Sequence, residues 1–296
     1  MSKHVGPILD AVDGAAIVNC RVCGFSHVLP LPSEEGLKGF YAKDFYNSEK
    51  PDYFKHAEED LDWWLATYGH YYDLLEKHTR GRRLLDIGSG PGYFLDAGQR
   101  RGWETFGIEP AAAAVDYSRA RGHKIVHDVF SRESSVGLGV FDAVVLSLVL
   151  EHVPNPATLL DEVSVVLKPG GIIMIIVPND YNPLQMLLVR DHGFKPWWVV
   201  PAHHINYFSI ESLKHFVASR GFLLNELETT YPMEQFILSG QNYVGNPEVG
   251  RACHKERKAF EMALFKGNSA LLSQLFTSWS EAGIGREIVL VASKAL

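Results

Sequence analysis

Near-continuous apolar runs alternate with stretches of helical periodicity through the middle of the chain. The runs at 82–87, 103–108, 141–147 and 172–177 are short and mostly apolar, which is typical of strands buried on both faces. Between them, apolar residues recur at spacings of three and four, as in amphipathic helices. The alternation predicts an α/β fold with a mostly parallel sheet covered by helices on both faces.

The two ends of the chain follow a different pattern. The first 50 residues, with scattered proline and glycine, are predicted to be loop, and a helix with one apolar face begins near residue 54. A loop rich in aromatic residues and proline is predicted from 178 to about 208. Strands at 222–229 and 286–293 follow, separated by a mostly helical stretch, so we expect an antiparallel strand at the end of the chain.

These patterns divide the chain into four segments. We expect an N-terminal extension or lid over 1–53, a ligand-binding core over 54–230, a helical insertion over 231–285, and a closing strand of the core over 286–296. Hydrophobic residues make up 46% of the 296 residues, which is enough for a large buried core.

A glycine-rich turn follows the first predicted strand. The stretch LLDIGSGPGYFL (84–95) carries Gly88, Gly90 and Gly92, although each glycine costs conformational entropy on folding. A backbone that passes close to a ligand would explain them, and a tight turn without a ligand remains an alternative. A dinucleotide-binding turn would place its third glycine one position later, and Asp86 would repel a pyrophosphate but attract an ammonium group.

The turn LLDIGSGPGYFL resembles the first motif of the class I S-adenosylmethionine (SAM)-dependent methyltransferases, and further motifs follow in the order of that family. These are GIEP, HDVF, the segment from FDAVVLS to LKPGG, HHINYFSIESLKHFVASRGF and GREIVLVASK. The similarity covers about residues 80–230 and the last ten. It implies a Rossmann-like class I methyltransferase fold with a mostly parallel seven-stranded sheet, helices on both faces, an antiparallel last strand, and SAM bound by the 54–230 core.

The resemblance implies a cofactor site at the carboxyl ends of the strands. Glu109 occupies the position of the acid that binds both ribose hydroxyls, and Asp128 and Val129 match the adenine motif. Alternatives remain, because Glu109 alone would also suit the ribose of NAD and Asp128 could cap a turn. The expected contacts are Asp86, Gly88, Ser89, Gly90, Gly92, Tyr93, Phe94, Glu109, Pro110, Asp128, Val129, Ser147, Leu148 and His152.

Three histidines are candidates for a general base, which some methyl acceptors need. His152 follows the fourth strand, and the matching acidic-His pair is functional in the ubiquinone-biosynthesis type of O-methyltransferase. Glu151 and His152 could instead hold the loop and contact only the cofactor. His203 and His204 lie on the loop after the fifth strand, where an acceptor would be enclosed.

Charge and composition restrict the classes of partner that the protein could bind. The net charge of −7 disfavours a protein that grips nucleic acid or an anionic membrane, and no leader or membrane-spanning run is evident. We expect a cytoplasmic methyltransferase, monomeric or homodimeric, that acts on a small-molecule acceptor with O- or C-methylation favoured. The alternatives are an NAD-dependent Rossmann oxidoreductase and a non-catalytic SAM-binding module.

Cys20 and Cys23 form a single C-x-x-C near the N-terminus. The surrounding sequence resembles the second knuckle of a zinc ribbon that precedes some methyltransferase domains, but the first C-x-x-C of that ribbon is missing. A structural zinc site normally needs four ligands. His4, His27 or Cys253 could supply more, yet the spacing does not indicate them. We therefore expect no bound metal and a knuckle that persists as a packed turn.

Overall fold

The computed structural model describes residues 4–33, Gly36, Gly39 and 53–295. Much of the segment expected to form a lid, residues 40–52, therefore lies outside the described residues. The chain divides into two compact units. One comprises residues 1–30, 177–216 and 227–290, and the other comprises 31–176, 217–226 and 291–296.

The larger sheet has seven strands and is mostly parallel with an antiparallel end strand, as the sequence predicted. The strand that carries Asp86, Arg83–Ile87, pairs in parallel with both neighbours, and Asp86 lies opposite Gly107 on one side and Val145 on the other. In spatial order the strands are β10 (Phe222–Thr229), β11 (Glu287–Lys294), β8 (Leu167–Pro178), β7 (Phe141–Ser147), β4 (Arg83–Ile87), β5 (Glu104–Ile108) and β6 (Lys124–Val126).

The middle strands of this sheet carry the core. Val144, Val145, Ile173 and Ile175 are fully buried on β7 and β8, which explains why these strands lack a polar face. In parallel strands the carboxyl ends meet at one edge, so the loops after β4, β5 and β7 lie along the same edge of the sheet.

Helices connect the strands, and their ends follow local capping rules. Asn155 accepts a hydrogen bond from the Thr158 amide at 3.3 Å and precedes Pro156, the first helical residue, as predicted. The helices are α1 (Tyr53–Glu59), α2 (Leu61–His78), α3 (Tyr93–Arg100), α4 (Ala112–Ala120), α5 (Pro156–Val166), α6 (Pro183–His192), α7 (Ile210–Ser219), α8 (Glu234–Leu238), α9 (Pro247–Gly267) and α10 (Ser269–Glu281). No helix in the described ranges is both long and apolar enough to cross a membrane.

A second, four-stranded sheet contradicts the prediction that the first 50 residues are loop. Asp13 and Gly14 both have positive φ, as a two-residue hairpin turn requires, and they join the first two strands. In spatial order the strands are β1 (Ile8–Val12), β2 (Ala15–Asn19), β3 (Ser26–Leu29) and β9 (Asn206–Tyr207), all antiparallel. The predicted loop from 178 to 208 was also wrong in part, because it contains α6 and β9.

Candidate functional site

The glycine turn after β4 is a close-packed loop. Gly88, Gly90 and Gly92 have φ of 73°, 50° and 82°, in the left-handed region that favours glycine. A Cβ atom on Gly88 would lie 2.7 Å from the Val149 side chain, and one on Gly92 would lie 2.5 Å from the Ser118 hydroxyl oxygen. Gly88 and Gly92 are therefore required by the backbone and by its neighbours, whatever ligand the loop contacts.

The amide groups of the loop are already engaged within the chain. Gly88 and Ser89 donate to the carbonyl oxygen of Ile108 at 2.8 and 3.3 Å, and Gly90 donates to Glu109 Oε2 at 2.9 Å. A pyrophosphate bound by such a loop would need free amides, and those of Gly88, Ser89 and Gly90 are not free. At these three positions the arrangement disfavours the dinucleotide alternative.

Glu109 is held rigidly at the carboxyl end of β5. The side chain is 5% exposed, and its two oxygens accept hydrogen bonds from the Gly90 and Ala111 amides, both at 2.9 Å. Burial raises the pKa of this carboxyl, and the two amide hydrogen bonds oppose the rise. The carboxylate is thus preoriented, and each oxygen retains a lone pair for a ligand hydroxyl.

Asp86 is the other acid of the site, and few contacts stabilise its ionised carboxylate. It is 3% exposed, and its Oδ1 has no hydrogen-bond partner in the part of the chain that the structure describes. Burial and the nearby charge of Glu109 raise the pKa of Asp86 well above its usual range. A buried acceptor without a partner is costly, and a ligand cation would compensate it.

Further predicted contacts lie shortly after the ends of β6 and β7. Leu148, directly after β7, has φ of 56° and a side chain that is 40% exposed, and its amide donates to Ile176 at 2.8 Å. A non-glycine residue in this region is strained, and such strain is concentrated at functional sites. Val129 is also exposed, and its amide donates to Asp128 Oδ1 at 2.8 Å.

Aromatic residues of α1, Tyr53 and Phe54, pack beside the site; they end the Tyr- and Phe-rich stretch 39–54, which the sequence predicted to be a lid. The Phe54 ring stacks on Tyr117 with centroids 4.9 Å apart, and the Tyr117 hydroxyl lies 2.8 Å from that of Tyr93. Burial, together with the charge of Glu109, raises the pKa of Tyr53 to about 12. The adjoining YF pair in the sequence was the available signal. Of the predicted contacts, Phe94 is buried and stacks on Tyr72.

The three candidate bases fall in different units. His152 ends a short 3-10 helix, Leu150–His152, and its Nε2 lies 3.7 Å from Oε1 of the buried Glu151. His203 and His204 belong to the other unit, where both amides donate to the Val200 carbonyl and the two rings pack edge to face 5.1 Å apart.

Comparison with known sequences identifies the family. A model of a methyltransferase domain matches residues 53–227, more than half of the chain. The ubiquinone biosynthesis O-methyltransferase of Alkalilimnicola ehrlichii is 34% identical over 36% of this chain and 45% of that protein. The enzyme of the same name from Burkholderia thailandensis is 26% identical over 56% of this chain and 77% of that protein. The match to the Alkalilimnicola relative thus spans less than half of its length.

Solved structures share the fold at low sequence identity. A SAM-dependent methyltransferase from Archaeoglobus fulgidus aligns with 82% of this chain and 99% of its own, with a TM-score of 0.53 and 18% identity. Magnesium protoporphyrin IX methyltransferase from Synechocystis, solved with bound S-adenosylhomocysteine, aligns with 86% of this chain and 98% of its own, with a TM-score of 0.53 and 11% identity. This chain belongs to the methyltransferase-domain family, and its fold is that of the SAM-dependent methyltransferases.

Proposed function

We propose that this chain binds SAM at the carboxyl edge of β4, β5 and β7 and transfers its methyl group to a small-molecule acceptor. The observation that carries the proposal is the pair of buried acids, Asp86 and Glu109, beside a glycine loop whose amides are already used. Such a site favours a cation and a diol over a pyrophosphate. SAM carries an ammonium group and a ribose diol, so the donor set fits it.

Each acid has a distinct role in this proposal. Glu109 accepts hydrogen bonds from both ribose hydroxyls, because its oxygens are already oriented by two amides. Asp86 stabilises the ammonium group, directly or through the loop. The exposed side chains of Val129 and Leu148 provide apolar contacts for the adenine, next to Asp128. When bound, SAM would supply a methyl group activated by a positively charged sulfur.

The protein's part in the transfer is to align the acceptor and to hold a proton acceptor nearby. Positioning alone accounts for a large part of the rate enhancement in such displacements. We propose His152 as the base for a hydroxyl or acidic carbon, with His203 and His204 as the other candidates. The two ubiquinone biosynthesis relatives, both O-methyltransferases by name, support O-methylation of a small molecule.

Calorimetric titration with SAM, S-adenosylhomocysteine and NAD⁺ tests the cofactor assignment. We expect SAM and S-adenosylhomocysteine to bind and NAD⁺ not to bind. Glu109→Ala should weaken SAM binding by about 30- to 900-fold, because two charge-assisted hydrogen bonds are worth about 2–4 kcal/mol.

Glu104→Ala is the matched control, because Glu104 is an exposed acid at the opposite end of the same strand. It should leave SAM affinity unchanged. Equal SAM affinity in Glu109→Ala and the wild type would refute the ribose assignment, and tighter binding of NAD⁺ than of SAM would refute the proposed function.

A further inference from the structure

Four side chains with metal-binding atoms converge near the N-terminus. His4, Cys20, Cys23 and His27 each offer one such atom, and these atoms lie within 4.8 Å of one another. His4 Nδ1 is 3.7 Å from Cys20 Sγ and 3.4 Å from Cys23 Sγ. A sulfur and a nitrogen bound to one tetrahedral zinc ion lie about 3.6 Å apart, given bonds of about 2.3 and about 2.0–2.1 Å. The two observed separations match this value to within about 0.2 Å.

The orientation of His27 gives a second, independent indication. The side chain is 1% exposed, and its Nδ1 lies 2.9 Å from the carbonyl oxygen of Val28, which makes Nδ1 the hydrogen-bond donor. Nε2 is buried and has no hydrogen-bond partner among the residues that the structure describes. Metal-binding histidines typically donate one ring nitrogen to a carbonyl and offer the other to the ion.

The backbone brings His4 to the cysteines. The Arg21 amide donates to the Val5 carbonyl at 2.9 Å, so the N-terminal segment runs beside the C-x-x-C turn. Gly6 makes this approach possible, because a Cβ atom there would collide with the carbonyl oxygen of Asn19. His4 is thus held in place by main-chain contacts that do not involve its own side chain.

We propose that His4, Cys20, Cys23 and His27 bind one structural Zn²⁺ ion in a closed tetrahedral Cys₂His₂ site. Two thiolates and two imidazoles are a ligand set that selects zinc, and four protein ligands leave no position open for a substrate. This proposal replaces our expectation of no metal, which rested on the missing first C-x-x-C. The two histidines take the place of those cysteines.

The site would stabilise the smaller sheet. His27 is on β3, which pairs with β9, where it lies opposite Asn206, and the Val28 amide donates to the Ile205 carbonyl at 2.9 Å. An ion at this point would join the N-terminal segment, the β2–β3 connection and β3, and would brace β9 directly after His203 and His204. The proposal does not depend on the proposed methyl transfer.

Elemental analysis of the full chain, purified without a histidine tag or chelators, tests the proposal. We expect about one zinc per chain in the wild type and less than a tenth of that in Cys20→Ser and His4→Ala. Cys253→Ser is the matched control, because Cys253 is buried elsewhere in the same unit against Met233 and Phe236. It should retain the full zinc content.

A second measurement on the wild type avoids the risk that the variants fail to fold. Removal of the metal with a chelator should lower the melting temperature, and addition of Zn²⁺ should restore it. Co²⁺ in place of Zn²⁺ should give the absorption bands of a tetrahedral ion with thiolate ligands. Wild-type protein without zinc, zinc that persists in both Cys20→Ser and His4→Ala, a different metal in equimolar amount, or a Cys20–Cys23 disulfide in its place would overturn the proposal.

Discussion

Replacement of Asp86 by asparagine should stabilise the ligand-free protein and weaken SAM binding. The wild-type carboxyl is buried, its Oδ1 lacks a partner among the described residues, and Glu109 adds a second negative charge nearby. A raised pKa means that ionisation of Asp86 costs free energy in the folded protein, and the asparagine variant removes that charge at nearly constant volume. The melting temperature should rise by about 2–4 °C for each kcal/mol recovered.

The stabilising effect of Asp86→Asn should increase as the pH rises from 4 to neutrality. The pKa of Asp86 in the folded protein is raised above its unfolded value by burial and by Glu109. Its contribution to stability is therefore fully present below the unfolded pKa of about 3.9 and is lost as pH rises toward the folded pKa. The advantage of Asp86→Asn should be largest at neutral pH and should disappear near pH 4.

SAM binding should favour the ionised form of Asp86, whereas folding favours the protonated form. An ammonium group near Asp86 favours the ionised carboxylate, so SAM binding should release protons wherever the ligand-free pKa lies above or near the working pH. The observed binding enthalpy should vary with the ionisation enthalpy of the buffer in the wild type and much less in Asp86→Asn. Loss of one charge-assisted interaction, about 1.5–3 kcal/mol, corresponds to about 10- to 150-fold weaker binding.

Calorimetry in three buffers, with thermal melting at pH 4 and pH 7.5, separates these outcomes. Glu104→Gln is the control, because Glu104 is exposed at the far end of β5 and should change neither proton release nor SAM affinity. If Asp86→Asn binds SAM as tightly as the wild type, Asp86 does not stabilise the ammonium group. If it is also no more stable at pH 7.5, the account of its buried charge fails as well.

Two further substitutions test the loop and the base. Gly92→Ala should lower the free energy of unfolding, measured in urea, by more than Gly122→Ala does. Both glycines have positive φ, which costs an alanine about 1–2 kcal/mol, but only a Cβ on Gly92 would meet other atoms. Equal losses of stability in the two variants would contradict the packing argument. His152→Ala should retain SAM affinity within a few fold, while its methyl-transfer rate should fall by at least about 10²-fold. If the rate of this variant is unchanged and the rate of His203→Ala or His204→Ala collapses, the base lies on the later loop. If His152→Ala no longer binds SAM, His152 supports the cofactor instead.

Most strands of the larger sheet could be predicted from the sequence to within about a residue. β7 and the edge strand β10 have the predicted bounds of 141–147 and 222–229, and β4 and β5 begin one residue later than predicted. Parallel strands that are buried on both faces are recognisable in the sequence as short, near-continuous apolar runs. β8 begins at Leu167, earlier than predicted, because the chain remains extended through the KPGG segment that was expected to be a turn.

The N-terminal sheet was missed because its first three strands are only four or five residues long, and β1, with the sequence ILDAV, does not alternate apolar and polar residues. Most side chains of β1 are exposed, so period-two alternation is weak there, and the Asp13–Gly14 turn was the remaining indication. The apolar face of α2 was also only partly predicted. The helical spacing predicted an apolar face made of Leu61, Trp64, Leu65, Tyr68, Tyr72 and Leu75. In the structure Trp63, which that face did not include, is 5% exposed and packs into the core. Helical spacing predicted the helix, but tertiary packing decided which neighbour it buries.

The site shows a similar division between local pattern and tertiary structure. The positions of Asp86 and Glu109 could be read from the strand ends, because a parallel sheet brings its carboxyl ends to one edge. Their burial and the use of the loop amides could not, since these depend on the pairing of β4 with β5. His4 and His27 are separated from the cysteines along the chain, so only the smaller sheet brings them together.

The choice between SAM and a dinucleotide rests on hydrogen bonding and not on the fold. A glycine loop between a strand and a helix serves both ligands, and an acid at the end of the second strand suits the ribose of either. Here the amides of Gly88 and Ser89 donate hydrogen bonds to the last residue of β5, and the amide of Gly90 donates one to Glu109. What remains at the strand ends is two buried acids whose ionised forms a cationic ligand stabilises. The Asp86→Asn variant loses one of these carboxyl groups, so it should show a narrower preference for SAM over NAD⁺.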